Sequence, residues 1–168
     1  MNWTTPDAYC DLFDRMERNN VPYVIVSGVA VVLHGHVRPV VDLDIVIAAT
    51  PDESHRAMQT LTQAGFVPSI PLPLSLVTVM RMFDQEQREV DVFVRYHIPF
   101  LELWNSSVQK RVGSSVVRIA SIEHLLRAKQ IMGRPHDLWD IEGLLALNLG
   151  GPRSSSPTID GCKLDESV

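Results

Sequence analysis

Residues 27–47 read Ser27-Gly28-Val29-Ala30-Val31-Val32-Leu33-His34-Gly35-His36-Val37-Arg38-Pro39-Val40-Val41-Asp42-Leu43-Asp44-Ile45-Val46-Ile47. The apolar run Tyr23-Val24-Ile25-Val26 before it predicts a short buried strand ending at Ser27-Gly28. Val29 to Leu33 is too apolar to face water and predicts a buried helix closed by Gly35. Leu43 to Ala48 then predicts a second strand. Side chains alternate along a strand, so Asp42 and Asp44 share one face. Two carboxylates on one face, beside a helix start reached through small residues, suit a metal-bound polyphosphate. The expectation is a phosphoryl- or nucleotidyl-transfer site; the alternative is an acidic strand end.

Outward from this segment, Thr5-Pro6-Asp7 predicts a helix start, with apolar Tyr9, Leu12, Phe13 and Met16 at helical spacing up to about Asn19. Thr50-Pro51-Asp52-Glu53 combines a capping box with proline at the first helical position, and that helix stops at Gly65. Val67 to Leu74, with three prolines, reads as a loop. Leu76 to Phe83 and Glu89 to Tyr96 read as a hairpin joined by Asp84-Gln85-Glu86-Gln87. A helix over Phe100 to Gln109, a strand over Val116 to Ile119, and helices over Ile122 to Met132 and Pro135 to Leu149 complete the pattern. This order implies an α/β (α+β) domain, a mixed sheet flanked by helices with helices at the C-terminal end. Residues 1–149 are expected to form one domain, and 150–168, rich in Gly, Pro and Ser, a flexible tail.

A two-metal site normally needs more than two carboxylates. In Glu89-Val90-Asp91-Val92-Phe93-Val94-Arg95 the valines take one strand face, and Asp91, Phe93 and Arg95 the other. An Asp within so apolar a strand is costly to bury unless paired or metal-bound. If this strand lies beside the Asp42/Asp44 strand, three carboxylates converge. Otherwise Asp91 faces water at a sheet edge. Ser27 and Gly28 suit a phosphate-cradling turn, in which small residues admit backbone N–H groups and the hydroxyl adds a donor. Arg38, four residues before Asp42, either steadies that loop or touches phosphate. His34 and His36 lie at a helix end with no nearby Cys, which argues against zinc.

The composition sets outer bounds. With 168 residues, 45% hydrophobic and 21% charged, the chain has enough apolar material for a real core. No run approaches the length of a membrane span, and the first residues lack a signal-peptide pattern, so an intracellular (cytoplasmic) protein with no membrane partner is expected. A net charge of -5 argues against an extended nucleic-acid surface. Most of the positive charge lies in the middle and second half, which suits an anionic substrate as well as it suits solubility. Cys10 and Cys162 are far apart in sequence, which predicts neither a disulfide framework nor a zinc site.

Taken together, these residues resemble the nucleotidyltransferase superfamily, the polymerase-beta-like fold. Its members carry a Gly-Gly or Gly-Ser turn, Asp-x-Asp or Asp-x-Glu about ten residues on, and a later strand Asp. The matching positions are Ser27-Gly28, Asp42-x-Asp44 and Asp91. Small bacterial toxin/antitoxin-type members look most similar. They carry Arg-x-Thr-x-Asp-x-Asp and a later Lys…Gly-Arg-Pro-Lys-Asp-Leu-x-Asp-Ile. This chain has Arg38 to Asp44, with Val40 in place of Thr, and Lys129 through Gly133-Arg134-Pro135-His136-Asp137-Leu138-Trp139-Asp140-Ile141. The resemblance spans about residues 20–148. Ser-Gly in place of Gly-Ser moves the hydroxyl one position early.

The resemblance implies a metal-dependent transfer of a nucleoside monophosphate from an NTP to an acceptor hydroxyl, with Mg²⁺ or Mn²⁺ as cofactor. Asp42 and Asp44 would bind metal, and Asp91 would complete the site and activate the acceptor. Ser27 and Gly28 would hold phosphate, with Arg38 beside them, and Lys129 would reach the nucleotide phosphates. Protein, tRNA and small-molecule acceptors all stay open, as does a homodimer or a protein partner. A catalytically inactive binding or regulatory protein on the same fold is the alternative. Arg134, Asp137 and Asp140 read as mainly structural.

Overall fold

The computed structural model describes residues 3–149. A 3-10 turn, Pro6–Tyr9, leads into α1 (Cys10–Arg18), followed by β1 (Tyr23–Val26), α2 (Ser27–Leu33), β2 (Leu43–Ile47) and α3 (Pro51–Gln63). Next come β3 (Val67–Pro68), a 3-10 turn at Leu74–Leu76, β4 (Val79–Phe83), β5 (Glu89–Phe93) and α4 (Phe100–Asn105). The hairpin β6 (Val108–Val112) and β7 (Ser115–Ile119), then α5 (Ile122–Met132) and α6 (Pro135–Asn148), close the described chain. The expected tail, 150–168, lies outside the described residues.

All seven strands form one mixed sheet in the order β3-β4-β5-β2-β1-β7-β6. β1 runs antiparallel to β2 and parallel to β7, while β2 and β5 are parallel. The α/β fold class expected from the element order is therefore the one observed. β1, with every residue buried, sits near the middle, consistent with its unbroken apolar run. Tyr9, Phe13, Phe66, Met80 and Met82 are among the largest fully buried side chains.

Several boundaries differ from expectation. The first helix opens as a 3-10 turn, and the Thr5 side chain makes no capping bond. The helix expected over Phe100 to Gln109 stops at Asn105, because Val108–Val112 pairs with β7 across Gly113, whose φ is +60°. Its exposed Gln109 and Arg111 look helical or loop-like in isolation; cross-strand pairing decides them. Val67–Pro68 is a strand rather than loop, but only at the sheet edge, where a missing N–H is tolerated. Cys162 lies outside the described residues. α2 opens at Ser27, two residues before the expected Val29, while two helix starts match their signals: Thr50 accepts a bond from Glu53 N, and Ser121 from His124 N.

Candidate active site

The parallel pairing of β2 with β5 makes Asp44 and Asp91 direct register partners. Asp42 precedes β2 on the Asp44 face. Ligand oxygens of all three lie within 4.8 Å of one another, and they form the one such group of His, Cys, Asp or Glu among the described residues. Asp91 thus faces the cluster from an interior strand and is buried, not at a sheet edge. Burial, then the Asp42 and Asp91 charges, push the Asp44 carboxyl up to about 8. Burial and Asp91 raise Asp42 as well. Three converging carboxylates offer the oxygen donors that a hard divalent cation takes.

The turn expected to cradle phosphate sits against this cluster. Ser27 lines the cleft, and its hydroxyl acts on the Asp44 carboxyl and the Tyr96 hydroxyl to hold the pKa of each down. Its backbone is left-handed, with φ of +57°, a conformation glycine adopts freely and serine does not. Gly28 lies against Arg38, which was expected either to steady this turn or to touch phosphate. A Cβ there would lie 2.7 Å from Val40 Cγ1 and 2.8 Å from Arg38 Nη2. The missing side chain therefore admits the Arg38 guanidinium.

Arg38 lies outside the cleft lining; its Nε is 2.9 Å from Asp140 Oδ1. Lys129 does line the cleft, yet its Nζ is 2.7 Å from Asp140 Oδ2 and 3.4 Å from Asp137 Oδ1. Both acids are fully buried on α6. The contacts of Asp140 are charge pairs without hydrogen-bond alignment, since neither carboxylate oxygen has a well-oriented donor. Asp137 accepts from Arg134 N and Nε, both at 3.0 Å. His36 packs on Gly143 and edge-on to Trp139. The loop leading to Asp42 is thereby clamped to α6. His34 Nε2 pairs with the Ala120 carbonyl at 2.7 Å, so His34 and His36 have separate structural partners.

The cleft encloses about 220 Å³. Ser27, Asp42, Asp44, Asp91 and Lys129 meet there, whereas Arg38 stays behind Gly28. Arg81, Phe93, Tyr96, His97 and Arg134 also line it, and sequence reasoning assigned none of them to the site. Arg81 had a legible signal: it is the lone charge in Val79-Met80-Arg81-Met82-Phe83. A hairpin bounded by Phe83 and Glu89 places it opposite Asp91.

No family model and no curated protein matches the chain. Solved structures do match its fold. The lincosamide antibiotic adenylyltransferase LnuA, lincomycin-bound, superposes with a TM-score of 0.64 and 18% identity, over 87% of this chain and 99% of that one. ANT(2'')-Ia in complex with adenylyl-2''-tobramycin gives 0.63 and 14%, over 88% of this chain and 91% of that one. An antigenic nucleotidyltransferase-like protein from Paracoccidioides brasiliensis gives 0.59 and 16%, over 93% and 82%. At these identities the likeness is one of fold, and by it the chain has the nucleotidyltransferase fold.

Proposed function

We propose that this chain is a metal-dependent nucleotidyltransferase, moving a nucleoside monophosphate from an NTP onto an acceptor hydroxyl. The observation that carries the reading is the convergence of Asp42, Asp44 and Asp91 at a cleft also lined by Lys129 and Arg134. Asp42, Asp44 and Asp91 would hold the cation, Mg²⁺ or Mn²⁺. Bound there, it would supply charge neutralisation at the polyphosphate and a lowered pKa for the acceptor hydroxyl. Asp91, on strand β5, would orient that hydroxyl and accept its proton. Ser27 would favour the ionised form of Asp44 through its hydroxyl, and Lys129 would bring an ammonium with three donors to the cleft wall. Most of the acceleration would come from positioning and preorganised charge.

Of the structural neighbours, LnuA is lincomycin-bound and ANT(2'')-Ia is in complex with adenylyl-2''-tobramycin. That supports including small-molecule acceptors beside protein and tRNA. Radiolabelled NTPs, incubated with Mg²⁺ and total tRNA, cell protein, the protein itself, or a lincosamide and an aminoglycoside panel, test the reading. Label transfer that disappears in Asp42→Asn and Asp44→Asn is the expected result.

One observation favours a second reading, a binding or regulatory protein without turnover: Arg81 already occupies both oxygens of Asp91. Isothermal titration with Mg²⁺ and each NTP separates the two. If the folded protein binds no NTP, the enzyme reading fails.

A further inference from the structure

Strand β4 brings one cation to the acidic cluster. Met80 and Met82 face the core, while Arg81, between them, faces the cleft. Arg81 is the register partner of Asp91. Its Nε donates to Oδ1 and its Nη2 to Oδ2, each at 2.9 Å. A two-point pair of this kind uses the carboxylate's best acceptor directions. The same Nε is 2.7 Å from Glu89 Oε1, on the same face of β5. The Arg81 side chain is 52% exposed and the Asp91 side chain 10%. The cation has room to move, the carboxylate does not, and Glu89 offers a second anionic seat close by.

We propose that Arg81 is a substrate-binding residue that guards Asp91 in the empty site and passes its guanidinium to the polyphosphate of a metal-bound NTP. This rests on the reading of the cleft as a nucleotidyltransferase site. Guanidinium recognises carboxylate and phosphate through the same planar fork, so exchanging one for the other keeps its donors satisfied. Asp91 then recovers both oxygens for cation and acceptor. Because Arg81 and a divalent cation draw on the same carboxylate, the site takes a bare cation weakly and the cation–nucleotide complex well. Arg81 thereby couples the two loading events.

Electron paramagnetic resonance of free Mn²⁺ tests this without turnover. The parent, Arg81→Met and Arg81→Lys are titrated with Mn²⁺ alone, and with Mn²⁺ plus α,β-methylene analogues of the four nucleoside triphosphates. Arg81→Met keeps the apolar stem, and circular dichroism checks the fold of both variants. Removing the pair should tighten bare Mn²⁺ binding about tenfold and weaken analogue binding about tenfold, the scale of a charge-assisted hydrogen bond. Arg81→Lys, which keeps charge but not the fork, should fall between. Unchanged or weaker bare Mn²⁺ binding in Arg81→Met overturns the proposal, as does unchanged analogue binding. If all three proteins bind Mn²⁺ and analogue alike, this inference alone fails. If none binds either, the nucleotidyltransferase reading fails with it.

Discussion

Asp44 and Asp91 stand directly opposite each other on the parallel strands β2 and β5. Strand pairing, not a flexible loop, sets their separation, and the repulsion between them is built into the sheet. With burial and Asp42 it pushes the Asp44 carboxyl up to about 8. A carboxyl raised on folding binds its proton more tightly when folded than when unfolded. Its contribution is therefore most favourable below the ordinary value of 3.8 and is lost as pH climbs towards about 8. A tenfold difference in proton affinity between the two states is worth about 1.4 kcal/mol. Without metal, Asp44→Asn should be more stable than the parent at pH 8, by roughly 2 kcal/mol or more, with the gap closing towards pH 4. Denaturant unfolding of both proteins across that range measures it. A gap that does not change with pH would mean that Asp44 is not strained by its neighbours. Saturating Mg²⁺ should stabilise the parent more at pH 8 than at pH 6, where it must displace a proton.

Ser27 sets a left-handed backbone against a useful hydroxyl. At φ of +57° any residue with a Cβ is strained, on the order of 1 kcal/mol. Ser27→Gly relieves that strain and loses the hydroxyl beside Asp44; Ser27→Ala loses the hydroxyl and keeps the strain. The glycine variant should therefore be the more stable of the two by about 1 kcal/mol in chemical denaturation. Both should raise the Asp44 carboxyl further, because the hydroxyl holds it down. Equal stabilities would show that the backbone at this position carries no strain.

Gly28 tests a role that the sequence suggested differently. Small size here admits Arg38 and Val40 at under 3 Å from where a Cβ would lie. Gly28→Ala should push the guanidinium off the turn and destabilise the fold by about 1–3 kcal/mol, as overpacking does. Combined with Arg38→Ala, part of that cost should vanish, leaving the Val40 clash. A double variant no better than Gly28→Ala in thermal unfolding would locate the whole clash at Val40.

The acidic half of the site was legible because it obeys short-range rules. Asp42 and Asp44 share a face by strand periodicity, and Asp91 stands out as a charge inside a valine strand. The adjacency of β2 and β5 could only be posed as a condition, since parallel pairing leaves no turn signal between the partners. Arg81 follows from the hairpin register, yet taken by itself it reads as one more surface charge. The destination of Lys129 and Arg38 was hidden for another reason. Asp140 lies 102 positions after Arg38 in number, and nothing local to either residue shows that α6 packs against the loop before β2. β6 was not legible because its exposed polar residues gain strand character only from their pairing with β7.

Asp140 carries the last prediction. Its carboxylate is fully buried and faces Arg38 on one oxygen and Lys129 on the other. Asp140→Asn keeps the shape and deletes the charge, leaving two largely buried cations facing each other without their shared anion. Breaking a buried pair from one side costs about 3–5 kcal/mol, mostly through the charge left behind. The penalty should therefore fall when the orphan is also removed. Asp140→Asn with Lys129→Met should recover at least a third of the stability lost by Asp140→Asn, measured by denaturant unfolding. Salt should do little for Asp140→Asn, because screening reaches buried charges poorly. If the double variant is no more stable than the single one, the Lys129 ammonium does not depend on Asp140, and Asp137 alone tethers it at the cleft wall. Recovery would mean instead that both acids tether it, so that a phosphate must compete with Asp140 and Asp137 for it.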